Sequence, residues 1–132
     1  MSEGNGFVTR DMLFAAGKRR FKEFEVDGVG KFRIRSLSEA ERSAWEAPNL
    51  TKKGEINLEK VKDSRLRAIV AALVDGEGRT ILTNQDIGQL REWDSGLVSH
   101  LYTQIAEHCG LDKDGVASAE KNSEPIPAGG SP

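Results

Sequence analysis

The sequence has little of what secreted, membrane-spanning or strongly charged proteins contain. It has one cysteine, Cys109, and so cannot form a disulfide framework, which makes a reducing, cytoplasmic setting the expected one. Apolar runs stay far below the roughly 20 residues that cross a bilayer, and the start of the chain lacks the basic and apolar stretches of a secretory signal. The net charge of −2 gives no overall attraction to nucleic acid or anionic lipid.

Apolar residues are also scarce: they make up 37% of the 132 residues, while 30% are charged. This apolar share lies below the globular average and predicts a modest core with polar ends. We expect a flexible lead-in at 1–8, a single α+β domain at 9–111 and a disordered tail at 112–132. The tail is rich in Asp, Lys, Ser, Glu, Gly and Pro, which cannot bury enough apolar area to offset the entropy of ordering.

Residues 22–35 alternate between apolar and charged side chains, which predicts a β-hairpin around a turn that starts at Asp27. A two-residue loop would place Phe24 opposite Lys31 and leave half of the apolar side chains exposed. A loop with an odd number of residues instead pairs Phe24 with Phe32, so we predict the odd loop. The same register pairs opposite charges, namely Glu25 with Lys31 and Glu23 with Arg33.

Helical periodicity and capping residues account for most of the remaining domain. The clearest signal runs from about Leu58 to Val74, where apolar residues recur at steps of three and four. Arg79 to Leu82 is a candidate third strand, and Trp93 is expected to face inward. The other predicted helices begin at the capping residues Thr9, Ser36 or Ser38, Thr83 and Asp94. The predicted fold is therefore α+β, with a short N-terminal helix, the hairpin and then four or so helices.

No pattern in the sequence has the spacing of a catalytic, metal or cofactor site. His100 and His108 are eight residues apart on the last predicted helix, whereas helical zinc ligands lie three or four apart. Ser99 adjoins His100, but neighbouring residues on a helix do not face each other. The closely spaced glycines lack the lysine and hydroxyl of a phosphate-binding loop. We therefore expect no enzyme activity, no bound metal and no cofactor.

The order of segments is more informative than any single residue. The hairpin runs into Arg33-Ile-Arg-Ser-Leu-Ser-Glu-Ala-Glu-Arg42, and a Leu/Val-rich helix follows, Arg65-Leu-Arg-Ala-Ile-Val-Ala-Ala-Leu-Val74. Next come an Asp-Gly turn that leads to Ile81-Leu-Thr-Asn-Gln-Asp86, and Glu120-Lys-Asn-Ser123 in the tail. Over about residues 9–123 the chain resembles the small tail assembly chaperones of long-tailed, siphovirus-type bacteriophages and prophages.

The resemblance implies a non-enzymatic role in tail morphogenesis. Proteins of this family bind the long tape-measure protein, keep its apolar helices soluble and help to recruit subunits of the major tail (tube) protein. They act in the host cell cytoplasm and are left out of the finished virion, and many have a longer form made by ribosomal frameshifting. The expected partners are therefore the tape-measure protein and the tube protein. A frameshifted longer form of the chain and a homo-oligomer are further candidates.

Four arginines are the predicted partner contacts, because they stand at charged positions beside predicted apolar surface. They are Arg33, Arg35, Arg65 and Arg67. The alternative is that these side chains only keep the surface soluble. A charge-reversed variant that retains normal solubilisation of the tape-measure protein would favour that alternative.

Two other classes of protein stay open as alternatives. A structural virion component, in the tail or at the head, is one, but a tail-tube protein needs long sheets and this sequence offers one clear hairpin. A small nucleic-acid-binding regulator is the other, since Lys31, Arg33 and Arg35 share a strand face that could touch phosphates. Glu23 and Glu25 on the same face partly neutralise it, so nucleic acid is not an expected partner, and no membrane contact is expected.

Overall fold

A three-stranded antiparallel sheet and the helices that surround it make up the structure, a computed structural model that describes residues 6–111. The predicted α+β class is confirmed. Five α-helical segments follow the hairpin in this part of the chain, instead of about four, because one long predicted helix is divided. In chain order the elements are α1 (Arg10–Ala16), β1 (Phe21–Val26), β2 (Gly30–Arg35), α2 (Glu39–Glu46), α3 (Leu58–Val61), α4 (Ser64–Ala72), β3 (Leu73–Val74), α5 (Ile87–Leu90) and α6 (Ser95–Cys109). Short 3-10 turns at Ala47–Asn49 and Asn84–Asp86 precede α3 and α5.

The hairpin has the odd loop that its alternation predicts. Phe24 lies opposite Phe32, and the loop between β1 and β2 holds the three residues 27–29. The two phenyl rings stack with centroids 5.5 Å apart. The predicted charge pairs are also opposite each other, Glu25 with Lys31 and Glu23 with Arg33. The need to place Phe24, Phe32 and Ile34 on one face therefore explains the register.

The prediction of one continuous helix from Leu58 to Val74 is wrong in two places: the helix is interrupted in the middle, and its last two residues form a strand. The helix breaks between α3 and α4, where the Asp63 carboxylate binds Arg91 instead of capping the amides of α4. It then ends at Ala72, because Leu73 and Val74 leave the helix and form β3 against β2. The open edge of β2 offers backbone hydrogen bonds that a local helical pattern does not reveal.

The predicted third strand at Arg79 to Leu82 is also wrong, because β3 takes that place in the sheet. From this stretch, Thr80 forms an isolated bridge with Val74. The turn between them is held by the Asp75 carboxylate, which accepts from the backbone N–H of Glu77 at 2.8 Å and of Arg79 at 3.0 Å.

The helix caps follow the sequence closely. Ser38, rather than Ser36, forms the capping box of α2 with Glu41, and Thr83 forms one with Asp86. Asp94 accepts from the Leu97 N–H at the start of α6, and α6 ends at Gly110. The prediction that Trp93 faces inward is wrong. The helix α5 ends at Leu90, before Trp93, and 36% of the Trp93 surface is exposed.

The core lies between the sheet, α2, α4 and α6. Trp45 is buried in it, and its indole Nε1 donates to the Ser64 carbonyl at 2.8 Å, which joins α2 to the start of α4. The largest fully buried side chains are Ile34, Ile69, Leu90, Leu101, Ile105 and Leu111. None of the helices within residues 6–111 is both long and apolar enough to span a membrane. The expected disordered tail, 112–132, lies outside the described residues, as does most of the expected lead-in, 1–8.

Candidate partner-binding surfaces

The N-terminal segment, residues 7–16, exposes all five of its large apolar side chains. None of the residues of α1 is buried, although Met12, Leu13 and Phe14 are all apolar. Phe7 before the helix is 73% exposed and Phe14 within it is 62% exposed. Thr9 caps the helix by accepting from the Met12 N–H at 3.2 Å. This short helix is therefore stabilised at its start by its own cap and presents exposed apolar surface to solvent.

A groove of about 640 Å³ lies between α4, α5 and α6, and we call it the α4–α6 groove. Buried side chains of Leu66 and Leu90 and the half-buried Val98 form its floor. Trp93 stands at its edge, which explains why this indole is not buried in the core. The other lining residues are polar or charged, so the groove combines an apolar floor with a polar rim and can take the amphipathic side of a partner.

The rim of the α4–α6 groove is charged. Asp63 and Arg91 form a two-pronged ion pair, with contacts of 2.6 and 3.1 Å. The hydrogen bond from Arg91 lowers the pKa of Asp63 below its usual value. Glu59 and Lys62 pair more loosely, at 3.7 Å.

Arg65, the first of the predicted contact residues, lies on this rim. Its Nη1 donates to the Ser99 hydroxyl of α6 at 3.2 Å. The side chain is exposed and reaches across the groove from α4. Of the four predicted arginines, the structure places this one beside a concave apolar surface.

Arg67 lies on a different side of α4 and is turned into the protein. Its guanidinium donates to the carbonyl of Lys60 at 2.7 Å, to the carbonyl of Trp45 at 3.3 Å and to the side chain of Asn49. Burial lowers the pKa of Arg67, although the charge of Asp63 opposes the shift. This arginine joins three segments of the fold.

Arg33 and Arg35 lie on the sheet, away from the groove. Arg33 Nη1 donates to the Gly76 carbonyl at 2.7 Å, and its guanidinium carbon lies 4.3 Å from the centre of the Phe21 ring. Arg35 Nε donates to the Ala71 carbonyl at 2.8 Å. The structure therefore does not bring the four predicted arginines together, and partner contact through any of them stays a prediction.

A cluster of ionic contacts surrounds Glu41 at the start of α2. Its carboxylate accepts from Arg19 at 2.8 Å and from the Ser38 N–H at 2.8 Å, and Arg35 lies 3.5 Å away. Burial raises the pKa of Glu41, but these hydrogen bonds and guanidinium charges outweigh it, so the pKa is lowered overall. Nearby, burial raises the pKa of the Cys109 thiol.

The histidines have structural contacts. The His100 ring packs edge-on against Phe24 with centroids 5.8 Å apart, and His108 Nε2 lies 3.2 Å from the Arg20 carbonyl. Within residues 6–111, no three His, Cys, Asp or Glu side chains group closely enough to hold a metal ion.

Comparison with known proteins supplies a match for the fold. No protein-family model matches the chain, and no curated protein sequence matches it. Among solved structures, it is similar to the tail assembly chaperone of bacteriophage HK97, with a TM-score of 0.50 and 20% sequence identity. The match covers 67% of this chain and 84% of the HK97 chain. The fold resembles that of a phage tail assembly chaperone. This supports the predicted resemblance at the level of fold.

Both candidate surfaces of this chaperone-like fold include residues that the sequence analysis did not single out. Phe7 lies within the expected lead-in, 1–8, and Phe14 lies in the helix that follows it. The sequence does carry a signal for them, because Met12 to Ala16 is an unbroken apolar run that leaves only Arg10 and Asp11 as polar residues of a short helix. The floor of the α4–α6 groove had no comparable signal, since its residues come from three separate helices.

Proposed function

We propose that the chain is a phage tail assembly chaperone, which binds apolar helical segments of the tape-measure protein and keeps them soluble until tube subunits assemble around them. The observation that carries the proposal is the N-terminal segment, whose large apolar side chains stay 48% to 73% exposed and none of which is buried. Exposed apolar surface bordered by charge is what a protein needs to hold another protein's apolar surface reversibly. The similarity in fold to the HK97 chaperone supports the same role.

The size of the exposed surface fits reversible binding. The five large apolar side chains of the N-terminal segment are 48% to 73% exposed, which amounts to roughly 500 to 600 Å² for side chains of this size. Covering that area contributes about 14 kcal/mol at 25 cal/mol per Å². Association costs about 4 to 15 kcal/mol in lost freedom, which offsets much of that contribution and is consistent with a contact that can be released.

Co-expression with the tape-measure protein tests this function. The wild-type chain is expected to raise the soluble yield of the tape-measure protein, and the double variant Leu13→Ser, Phe14→Ser is expected to lose most of that effect. Val29→Ser is a matched control, because Val29 is also exposed but lies in the hairpin loop. An unchanged yield with the wild-type chain would contradict the proposal.

The proposal also places the chain in the host cytoplasm during assembly and outside the finished particle. Mass spectrometry of purified virions separates this role from that of a structural component. A chaperone is expected to be absent or present in traces, whereas a tail or head component must be present in stoichiometric amounts.

A further inference from the structure

The α4–α6 groove has the form of a receptor for one face of a helix. Leu66, Leu90 and Val98 form its floor, Trp93 lies at its edge, and the groove is open to solvent and rimmed by polar and charged side chains. An amphipathic helix binds such a groove through side chains spaced three and four residues apart. Its lining residues do not include those of the N-terminal segment, so the groove is a second candidate surface for a partner.

The charged side chains on the rim of the α4–α6 groove favour a partner of one charge over a partner of the other. Asp63 is paired with Arg91, and Glu59 is paired with Lys62, so these four charges largely offset one another. Arg65 is different, because its hydrogen bond within residues 6–111 goes to the neutral Ser99 hydroxyl. The rim therefore offers one guanidinium whose charge no described carboxylate neutralises.

We propose that the α4–α6 groove binds an amphipathic helix that carries a carboxylate beside its apolar face, and that this carboxylate pairs with Arg65. The inference rests on the proposed function, since the helix would belong to the tape-measure protein. The apolar side chains of the helix cover Leu66, Val98 and Trp93, and its carboxylate takes a fork-like contact on the guanidinium.

The N-terminal segment of a second copy fits this groove less well. Arg10 lies over the Phe14 ring, 4.5 Å from its centre, so the apolar surface of that segment carries a guanidinium of its own. Inserting it would bring two like charges together at Arg65, which disfavours this occupant. The observations therefore favour a partner helix with an acidic flank.

Two synthetic amphipathic peptides test the proposal on the full-length protein. Both have leucines at steps of three and four, and they differ in having Glu or Lys beside the apolar face. Trp93 reports binding, because covering its exposed indole shifts its emission to shorter wavelength, while Trp45 is already buried. We expect the Glu peptide to bind about three- to tenfold more tightly than the Lys peptide, the range for a partly exposed charge pair and its like-charge counterpart.

Reversing the charge at residue 65 tests the proposed ion pair more directly than comparing the two peptides on the wild-type protein. In Arg65→Glu the preference is expected to reverse, so that the Lys peptide binds more tightly. Arg65 lies in the first turn of α4, where an acidic residue is favourable, so this variant is expected to keep its helical content and melting temperature. Arg79→Glu is the matched control: it makes the same change of charge at an exposed site outside the groove and should leave the preference unchanged.

Several outcomes would overturn the inference. These are an unchanged preference in Arg65→Glu, an emission change that persists in Trp93→Phe, and no emission change with either peptide. Self-association that the peptides displace, and that Leu13→Ser, Phe14→Ser abolishes, would assign the groove to a second copy instead. If the wild-type chain solubilises the tape-measure protein and Arg65→Glu does so equally well, the groove inference fails alone. If the peptides bind as expected but the tape-measure protein stays insoluble, the proposed function fails alone.

Discussion

Replacing Arg67 with alanine tests how the helices of this protein are joined. Its guanidinium links α4 to the carbonyl of Lys60 in α3, the carbonyl of Trp45 in α2 and the side chain of Asn49. Asn49 is 2% exposed, so water cannot replace the lost donor there without rearrangement. Alanine would leave three acceptors without this partner at the junction of these helices.

The expected loss follows from those contacts. A hydrogen bond from a charged donor contributes about 1.5 to 3 kcal/mol, so three give a gross value of roughly 5 to 9 kcal/mol. Desolvation of the guanidinium, visible in the lowered pKa of Arg67, offsets part of this. We therefore expect Arg67→Ala to lower the free energy of unfolding by about 3 kcal/mol. Arg67→Lys should recover less than half, because an ammonium group cannot reproduce the planar fork.

Urea unfolding followed by circular dichroism measures the effect. With an m-value of roughly 1.5 kcal/mol per M, the midpoint of Arg67→Ala should fall by about 2 M. Arg65→Ala is the control on the same helix, and its exposed side chain predicts a change within about 0.5 kcal/mol. A loss below about 1 kcal/mol in Arg67→Ala, or equal losses in the two variants, would refute the reasoning that Arg67 joins the helices.

Three further predictions concern stability. Gly110→Ala should cost about 1 to 2 kcal/mol in urea unfolding, because Gly110 has a φ of +76°, whereas Gly17→Ala, with a φ of −84°, should cost less. Ser38→Ala should cost about 1 kcal/mol by the same measurement, since it removes the capping box of α2. The lowered pKa values of Asp63 and Glu41 stabilise the fold at neutral pH, and this stabilisation should be lost as the pH falls through those values. The urea midpoint should therefore drop below about pH 4, with a smaller drop in Glu41→Gln than in the wild type.

The register of the hairpin could be predicted because two constraints act on it together, although β1 begins at Phe21, one residue before the predicted start. Alternation fixes which side chains share a face, and only an odd loop satisfies that condition for Phe24 and Phe32. Both constraints are local, since they involve residues within one short stretch. The helix caps at Ser38, Thr83 and Asp94 were predictable for the same reason.

The stretch from Leu58 to Val74 could not be predicted correctly because distant residues decide its structure. Leu73 and Val74 fit a helical pattern, yet they pair with β2, nearly 40 residues earlier in the chain. Asp63 would be a suitable helix cap, but its carboxylate binds Arg91, which lies 28 residues later in the chain. In both places a tertiary contact outweighs the local preference.

The four predicted arginines show that sequence cannot reveal tertiary contacts at the candidate site either. Arg65 and Arg67 are two residues apart on one helix and look alike in sequence, but a two-residue step turns a side chain by about 200° around the axis. One therefore meets the open α4–α6 groove and the other meets the carbonyls of α2 and α3. The sequence could identify arginines beside apolar residues. Only the packing of the neighbouring helices decides whether a guanidinium makes its hydrogen bonds within the fold or remains accessible to a partner. That is why charge exchange at Arg65, and not at Arg67, can test partner binding without first unfolding the protein.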